Sequence, residues 1–216
     1  MKKILKTILV MMGVCALLAG CQKEEANKES ESKPQESTAA ESGQEFNIDP
    51  AGKHHVEIVI KDYGTIKVEL DGDSAPITVE NFLRLTDAHF YDGLTFHRIM
   101  AGFMMQGGDP AGNGTGGSDT EIKGEFAANG VNNTLSHTRG AISMARNSIS
   151  MDSASSQFFI CHVDSEFLDG QYACFGYVTE GMDVVDAICE AAKPIDNNGT
   201  ILKDQQPIIE KITIID

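Results

Sequence analysis

Two short runs constrain this chain more than anything else in it. Val56, Ile58 and Ile60 alternate with Glu57 and Lys61; after an Asp-Tyr-Gly turn, Ile66, Val68 and Leu70 alternate with Lys67 and Glu69. Successive side chains of a strand point to opposite faces, so each run offers one apolar face, and the pair reads as a β-hairpin. The closing "QPIIEKITIID" supplies a further strand, with Ile209, Ile212 and Ile214 among its apolar positions. Two segments carry helical spacing instead. In "SAPITVENFLRLTDAHF", Pro76 suits a first helical position and Val79, Phe82 and Leu83 share a face; in "EGMDVVDAICEAAK", Val185, Ile188, Cys189 and Ala192 do the same. Short apolar runs such as "AISMA" and "SQFFICH" lie between, separated by long Gly, Asn and Ser loops. The expectation is a mainly β domain, barrel or sandwich, with two helices.

That domain starts near Lys53 and fills residues 53–216. Ahead of it, residues 1–20 read as a signal: Lys2, Lys3 and Lys6 form a basic head, and Ile8 to Leu18 an apolar run too short for a ~20-residue membrane span. Leu18-Ala19-Gly20-Cys21 resembles a bacterial lipobox, which implies cleavage before Cys21 and a lipid on its sulfur, holding the protein on a membrane without spanning it. From Cys21 to residue 52, Glu, Lys, Ser and Ala dominate, so this stretch reads as a disordered acidic tether with a reach of roughly 30 Å. Without the three signal lysines the 17 basic residues fall to 14 against 32 acidic ones, a net charge of −18. Such a surface argues against nucleic acid or an anionic bilayer as the main partner. Cys161, Cys174 and Cys189 remain, an odd number without C-x-x-C spacing, and read as buried free thiols. No metal site is expected.

"FHRIMAGFMMQGGD", residues 96–109, sets one Arg and one Gln among Phe and Met, with no nucleophile. Together with "NGTGG", "GAISMAR", "SSQFFI", "FLDGQYACFG" and "KITIID", it resembles the cyclophilin family of peptidyl-prolyl cis/trans isomerases, in the family's order over nearly all of Val56 to Asp216. The resemblance implies an eight-stranded antiparallel closed β-barrel capped by two α-helices.

It also implies a reaction that explains the residue mixture. Turning an X–Pro bond needs no covalent intermediate; the C–N partial double bond must be weakened against a barrier of ~18–20 kcal/mol. An Arg that donates to the proline nitrogen as the amide loses planarity binds mainly the twisted transition state. By motif position Arg98 is the catalytic candidate; Phe103, Met104, Phe159 and Leu168 match an apolar proline socket; Gln106 holds the peptide backbone, Gln157 lines the same groove, and Ala145 offers its backbone. His97 faces away from Arg98 on a strand and reads as structural. Phe167 stands where many eukaryotic members carry a Trp that contributes to cyclosporin binding, which puts drug sensitivity in question. Tyr172 takes the place of a pocket histidine, Ala101 that of a frequent proline, and Arg146 to Ser155 is longer than in short eukaryotic forms.

Three other patterns are decoys. "GNGTGG" meets G-x-G-x-x-G but no strand precedes it and no helix follows; His54-His55 point to opposite faces of a strand; Ser155, Ser156 and His162 lack a nucleophile elbow. The expectation is therefore a cofactor-free, monomeric isomerase of X–Pro bonds, lipid-anchored outside the cytoplasm and acting on proline-containing exported polypeptides. The alternative is a catalytically weak module of the same fold that grips proline-containing segments.

Overall fold

The computed structural model describes residues 49–216; the signal of residues 1–20, Cys21 and the tether to residue 48 lie outside the described residues. The alternating runs are β1 (Lys53–Ile60) and β2 (Gly64–Asp71), paired antiparallel with Val56 opposite Val68 and Ile58 opposite Ile66. There follow α1 (Pro76–Asp87), β3 (Phe96–Met100), β4 (Met104–Gly107), β5 (Ala141–Met144), β6 (Phe158–Cys161), β7 (Cys174–Glu180), α2 (Met182–Ala191) and β8 (Ile209–Ile214). All pairings between these strands are antiparallel, in the order β3-β4-β6-β5-β7-β2-β1-β8.

The sheet curls into a half-barrel, which corrects the expectation of a closed barrel. Its edge strands β3 and β8 form no continuous ladder; they meet at one bridge, Thr95 to Ile208, where Phe96 N–H donates to the Pro207 carbonyl at 3.0 Å. Pro207 has no N–H to return, so the ladder stops there. Beyond it the outer edge of β3 is covered by a strap from the α2–β8 connection: Ile99 N–H donates to Gly199 O at 2.8 Å and Ile201 N–H to His97 O at 3.0 Å. Gly199 is required in that strap, because it sits at φ +85° and a Cβ there would lie 2.5 Å from Met100 Cγ.

Directly opposed residues of antiparallel strands share a face, and the two faces of β3, β4, β6 and β5 have separate tasks. The row Ile99, Met105, Ile160, Ile142 points inward and is buried in the main core with both helices. There Phe82 of α1 meets Tyr91, Phe158 and Phe175 at centroid distances of 5.0, 5.5 and 5.3 Å. On α2, Val185, Ile188 and Cys189 are buried at the expected helical spacing. The adjacent row Arg98, Gln106, Phe159, Ser143 points outward. Among the described residues no helix is long and apolar enough to cross a membrane.

Candidate active site

The outward row is floored by a second, smaller apolar cluster of Met104, Ala141, Phe159, Cys161, Leu168 and Cys174, with Phe103, Ala145 and Tyr172 packed at its margin. Burial pushes the Cys161 and Cys174 thiols up to about 12, so they serve as small hydrophobes here, not nucleophiles. A cavity of about 330 Å³ opens above this floor, lined by Arg98, Phe103, Met104, Gln106, Ala145, Arg146, Phe159, Phe167, Leu168 and Tyr172. Gln157, expected in the same groove, lines an adjoining cavity of about 300 Å³ that shares Gln106, Ala145 and Arg146 with the first.

Arg98 is half-buried on β3 and fixed from three sides. Its Nε donates to Asn198 O at 2.7 Å, one terminal nitrogen to Gln106 Oε1 at 3.1 Å, and the other lies 3.2 Å from Met100 Sδ. Burial pulls its pKa below the ordinary value, with Tyr172 and Asp196 acting the other way. The guanidinium still carries its charge at any ordinary pH. The hydrogen bonds continue: Gln106 Nε2 donates to Gln157 Oε1 at 2.9 Å, and Gln157 Nε2 to Gly116 O at 2.7 Å. Each amide oxygen is thus taken by a donor and each amide nitrogen by an acceptor, which sets the orientation of both glutamines.

Ala145 falls one residue past β5, where its N–H donates to Gln157 O at 2.9 Å, and it lines the cavity. Phe167 is 67% exposed on the 3-10 turn Glu166–Leu168, its ring 5.6 Å from that of Phe103. Met104, Phe159 and Leu168 are buried.

Two groups escaped the sequence reading. Arg146 holds its guanidinium 4.9 Å above the Tyr172 ring and 5.3 Å from that of Phe126, and donates to Gln171 O at 3.1 Å. His137, fully buried, stacks on Phe159 and lies 3.0 Å from Ser143 Oγ through Nε2 and 2.7 Å from Asp169 Oδ1 through Nδ1. The order Ser143-His137-Asp169 imitates a hydrolytic triad, but Ser143 is fully buried as well, with no path for a substrate. The group instead ties the floor under Phe159 to the turn that carries Leu168.

The decoys resolve physically. In the glycine loop the Asp109 carboxylate takes the N–H groups of Ala111, Asn113 and Gly114 at 2.8, 3.0 and 2.6 Å, filling the position an anion would need. Burial alone would raise the Asp109 pKa; these three donors outweigh it and hold the carboxylate below its usual range. His97 turns inward, 4% exposed, with both ring nitrogens unpartnered among the described residues, and burial lowers its pKa. Ser156 donates to Gly108 O at 2.7 Å while His162 serves the β3–β4 turn, so they do not converge.

Comparisons with known proteins identify the family and the fold. The family model described as cyclophilin type peptidyl-prolyl cis-trans isomerase/CLD matches residues 55–215. The chain is 47% identical over 127 residues to a peptidyl-prolyl cis-trans isomerase of Helicobacter pylori, covering 58% of this chain and 74% of that protein. It is 42% identical over 146 residues to peptidyl-prolyl cis-trans isomerase B of Bacillus subtilis, covering 68% and 92%. Among solved structures, a cyclophilin-type isomerase of Cryptosporidium parvum crystallised in the presence of the dipeptide Ala-Pro superposes with a TM-score of 0.66 at 31% identity, covering 75% of this chain and 99% of that one.

Proposed function

The chain belongs to the cyclophilin-type peptidyl-prolyl cis-trans isomerase family, and we propose that the outward face of its half-barrel is where it rotates X–Pro bonds, with Arg98 as the catalytic group. One observation carries this reading: a fixed, half-buried guanidinium stands at the rim of a cavity of about 330 Å³ that has an apolar floor and no reactive nucleophile in it. The proline ring enters between Phe103, Met104, Phe159 and Leu168, while Gln106 and the backbone at Ala145 hold the peptide chain. Phe167 and Tyr172 border the entrance.

As the bond twists, resonance is lost and the proline nitrogen regains its lone pair, which becomes an acceptor only in that state. An N–H of Arg98 directed at it therefore lowers the barrier without tightening ground-state binding equally. Every 1.36 kcal/mol gained in this way is a tenfold increase in rate. No proton leaves the protein and no cofactor is needed. The test is a protease-coupled assay on a peptide with one X–Pro bond. Arg98→Ala is expected to lower kcat/KM by about 100-fold or more, the scale of losing one preorganised donor. Equal, negligible rates in both proteins with peptide still bound would leave only a proline-binding module.

For location, the basic head, apolar run and Cys21 support a lipid-anchored, extracytoplasmic isomerase whose acidic tether lets it reach exported polypeptides. Uncatalysed prolyl isomerisation takes tens to hundreds of seconds and limits folding, so such a position would be useful. Mass spectrometry of the mature N-terminus distinguishes a lipidated Cys21 from an unmodified one. Normal folding of exported proteins in a deletion strain would refute the folding role.

A further inference from the structure

The turn between β3 and β4 carries Phe103 but has little packing of its own. Gly102 sits at φ +80° with no atom within 4 Å of where a Cβ would be, and Ala101 is exposed. The Phe103 ring is held only loosely from outside: its aromatic neighbour Phe167 is 67% exposed, and Arg98 lies 6.0 Å from its centroid. What anchors the turn is His162, just past β6. Its backbone N–H donates to Phe103 O at 2.8 Å, and its ring Nδ1 accepts from Gly102 N–H at 2.9 Å.

Because Nδ1 accepts, the ring proton resides on Nε2, and that edge faces Asp186 Oδ1 of α2 across 3.1 Å. Asp186 is itself fixed: Arg139 donates to its other oxygen at 2.8 Å and to the His162 carbonyl at 2.6 Å. This Arg139 bond holds the Asp186 carboxyl below its usual range. The ring is therefore held on its Nδ1 edge by the Gly102 bond and faces the Asp186 carboxylate on the other at ion-pair distance, without hydrogen-bond geometry there, with its side chain 15% exposed.

We propose that His162 is a positioning residue for the isomerisation. It fixes the Gly102 turn, and with it Phe103 against the proline ring, while Asp186 and Arg139 hold the imidazole in the accepting orientation. The proposal rests on the reading of Phe103 as a wall of the proline socket. Phe103 contacts substrate and transition state alike, so misplacing it removes uniform binding, which raises KM and spares kcat.

The experiment uses the full chain and a tetrapeptide with a central Ala-Pro bond, measuring KM, kcat and melting temperature. His162→Ala is expected to raise KM three- to tenfold with kcat within twofold of wild type. His162→Asn should restore KM, because the amide oxygen stands as many bonds from Cα as Nδ1 and can accept from Gly102. His162→Gln, whose amide lies one bond further out toward Asp186, should not. Asp186→Ala provides an independent arm that leaves His162 in place and should raise KM in the same direction. An unchanged KM in His162→Ala, a loss in His162→Asn equal to that in His162→Ala, or a fall confined to kcat each overturns the proposal. Should His162→Ala fail to fold, the decision passes to His162→Asn against His162→Gln: equal KM values there overturn it. Phe103→Ala separates the two layers. If its KM is that of wild type, the socket reading fails; if KM rises while the His162 variants bind normally, only the role of His162 fails.

Discussion

Arg98 depends on its neighbours for more than charge. Asn198 O and Gln106 Oε1 take donors on two edges of its planar fork, leaving the remaining N–H groups on a fixed heading. A lysine keeps the charge but is a point donor on a flexible stem, which cannot satisfy both acceptors and still address a third atom. Arg98→Lys is therefore expected to fall in kcat/KM almost as far as Arg98→Ala, by about 100-fold, with a melting temperature close to wild type. Activity above a tenth of wild type would show that charge alone suffices. The residues most legible in the sequence share this locality: Arg98, Phe103, Met104 and Gln106 come from one strand–turn–strand stretch, Gln157 immediately precedes β6, and Phe159 lies within it. Arg146 and His137 were not legible for the converse reason. Arg146 rests on rings from Phe126 and Tyr172, and His137 bonds Asp169 across 32 residues of sequence, spacings that no local pattern encodes.

At the scale of elements, periodicity gave β1, β2, β8 and both helices, but not what starts α1. Pro76 opens the helix as its spacing suggests, yet Ala75 has no side chain to cap it. The cap comes from Glu125, 2% exposed, whose carboxylate accepts from Ile77 N at 3.1 Å, Thr78 N at 2.7 Å and Thr78 Oγ1 at 2.7 Å. A carboxylate there also complements the positive end of the helix dipole. Glu125→Ala leaves buried donors without a partner and should destabilise the fold by about 2 kcal/mol, read as a lower denaturant midpoint with the slope unchanged. Glu125→Gln, which keeps an acceptor but loses the charge, should fall between. Equal midpoints for all three proteins would mean that α1 needs no such cap. The edge of β3 shows the same limit. That its partner is the Gly199 strap and not a full ladder to β8 depends on a segment about 100 residues away, so a half-barrel and a closed barrel read alike in the sequence.

For the whole molecule, the excess of acid leaves few cations to hold distant segments together, and β1 carries two that do. Lys53 bridges Glu69 at 3.3 Å and Asp71 at 2.8 Å. His55 faces Asp216 at 2.8 Å and Glu69 at 3.5 Å, and its backbone N–H also donates to Asp216 Oδ1 at 2.9 Å. Asp216 raises the His55 pKa above its ordinary value. For Asp216, burial acts upward, but the bonds from His55 outweigh it and hold the carboxyl below its usual range. The signs follow from linkage. The His55 contribution is complete below the ordinary histidine value of about 6.5 and is lost as pH rises through the raised one. The Asp216 contribution is complete above the ordinary carboxylate value and is lost as pH falls through the lowered one. The pair should therefore stabilise most between about pH 4.5 and 6.5. Both side chains are more than a third exposed, at 42% and 37%, so solvent and salt screen the effect. Thermal unfolding of wild type and His55→Ala across pH 4 to 9 at low salt should differ by only about 2 °C at its largest, near pH 5.5. That difference should shrink toward pH 9 and again in 0.5 M salt. A difference that stays constant with pH would place the cost of the substitution in lost packing, not in the ion pair.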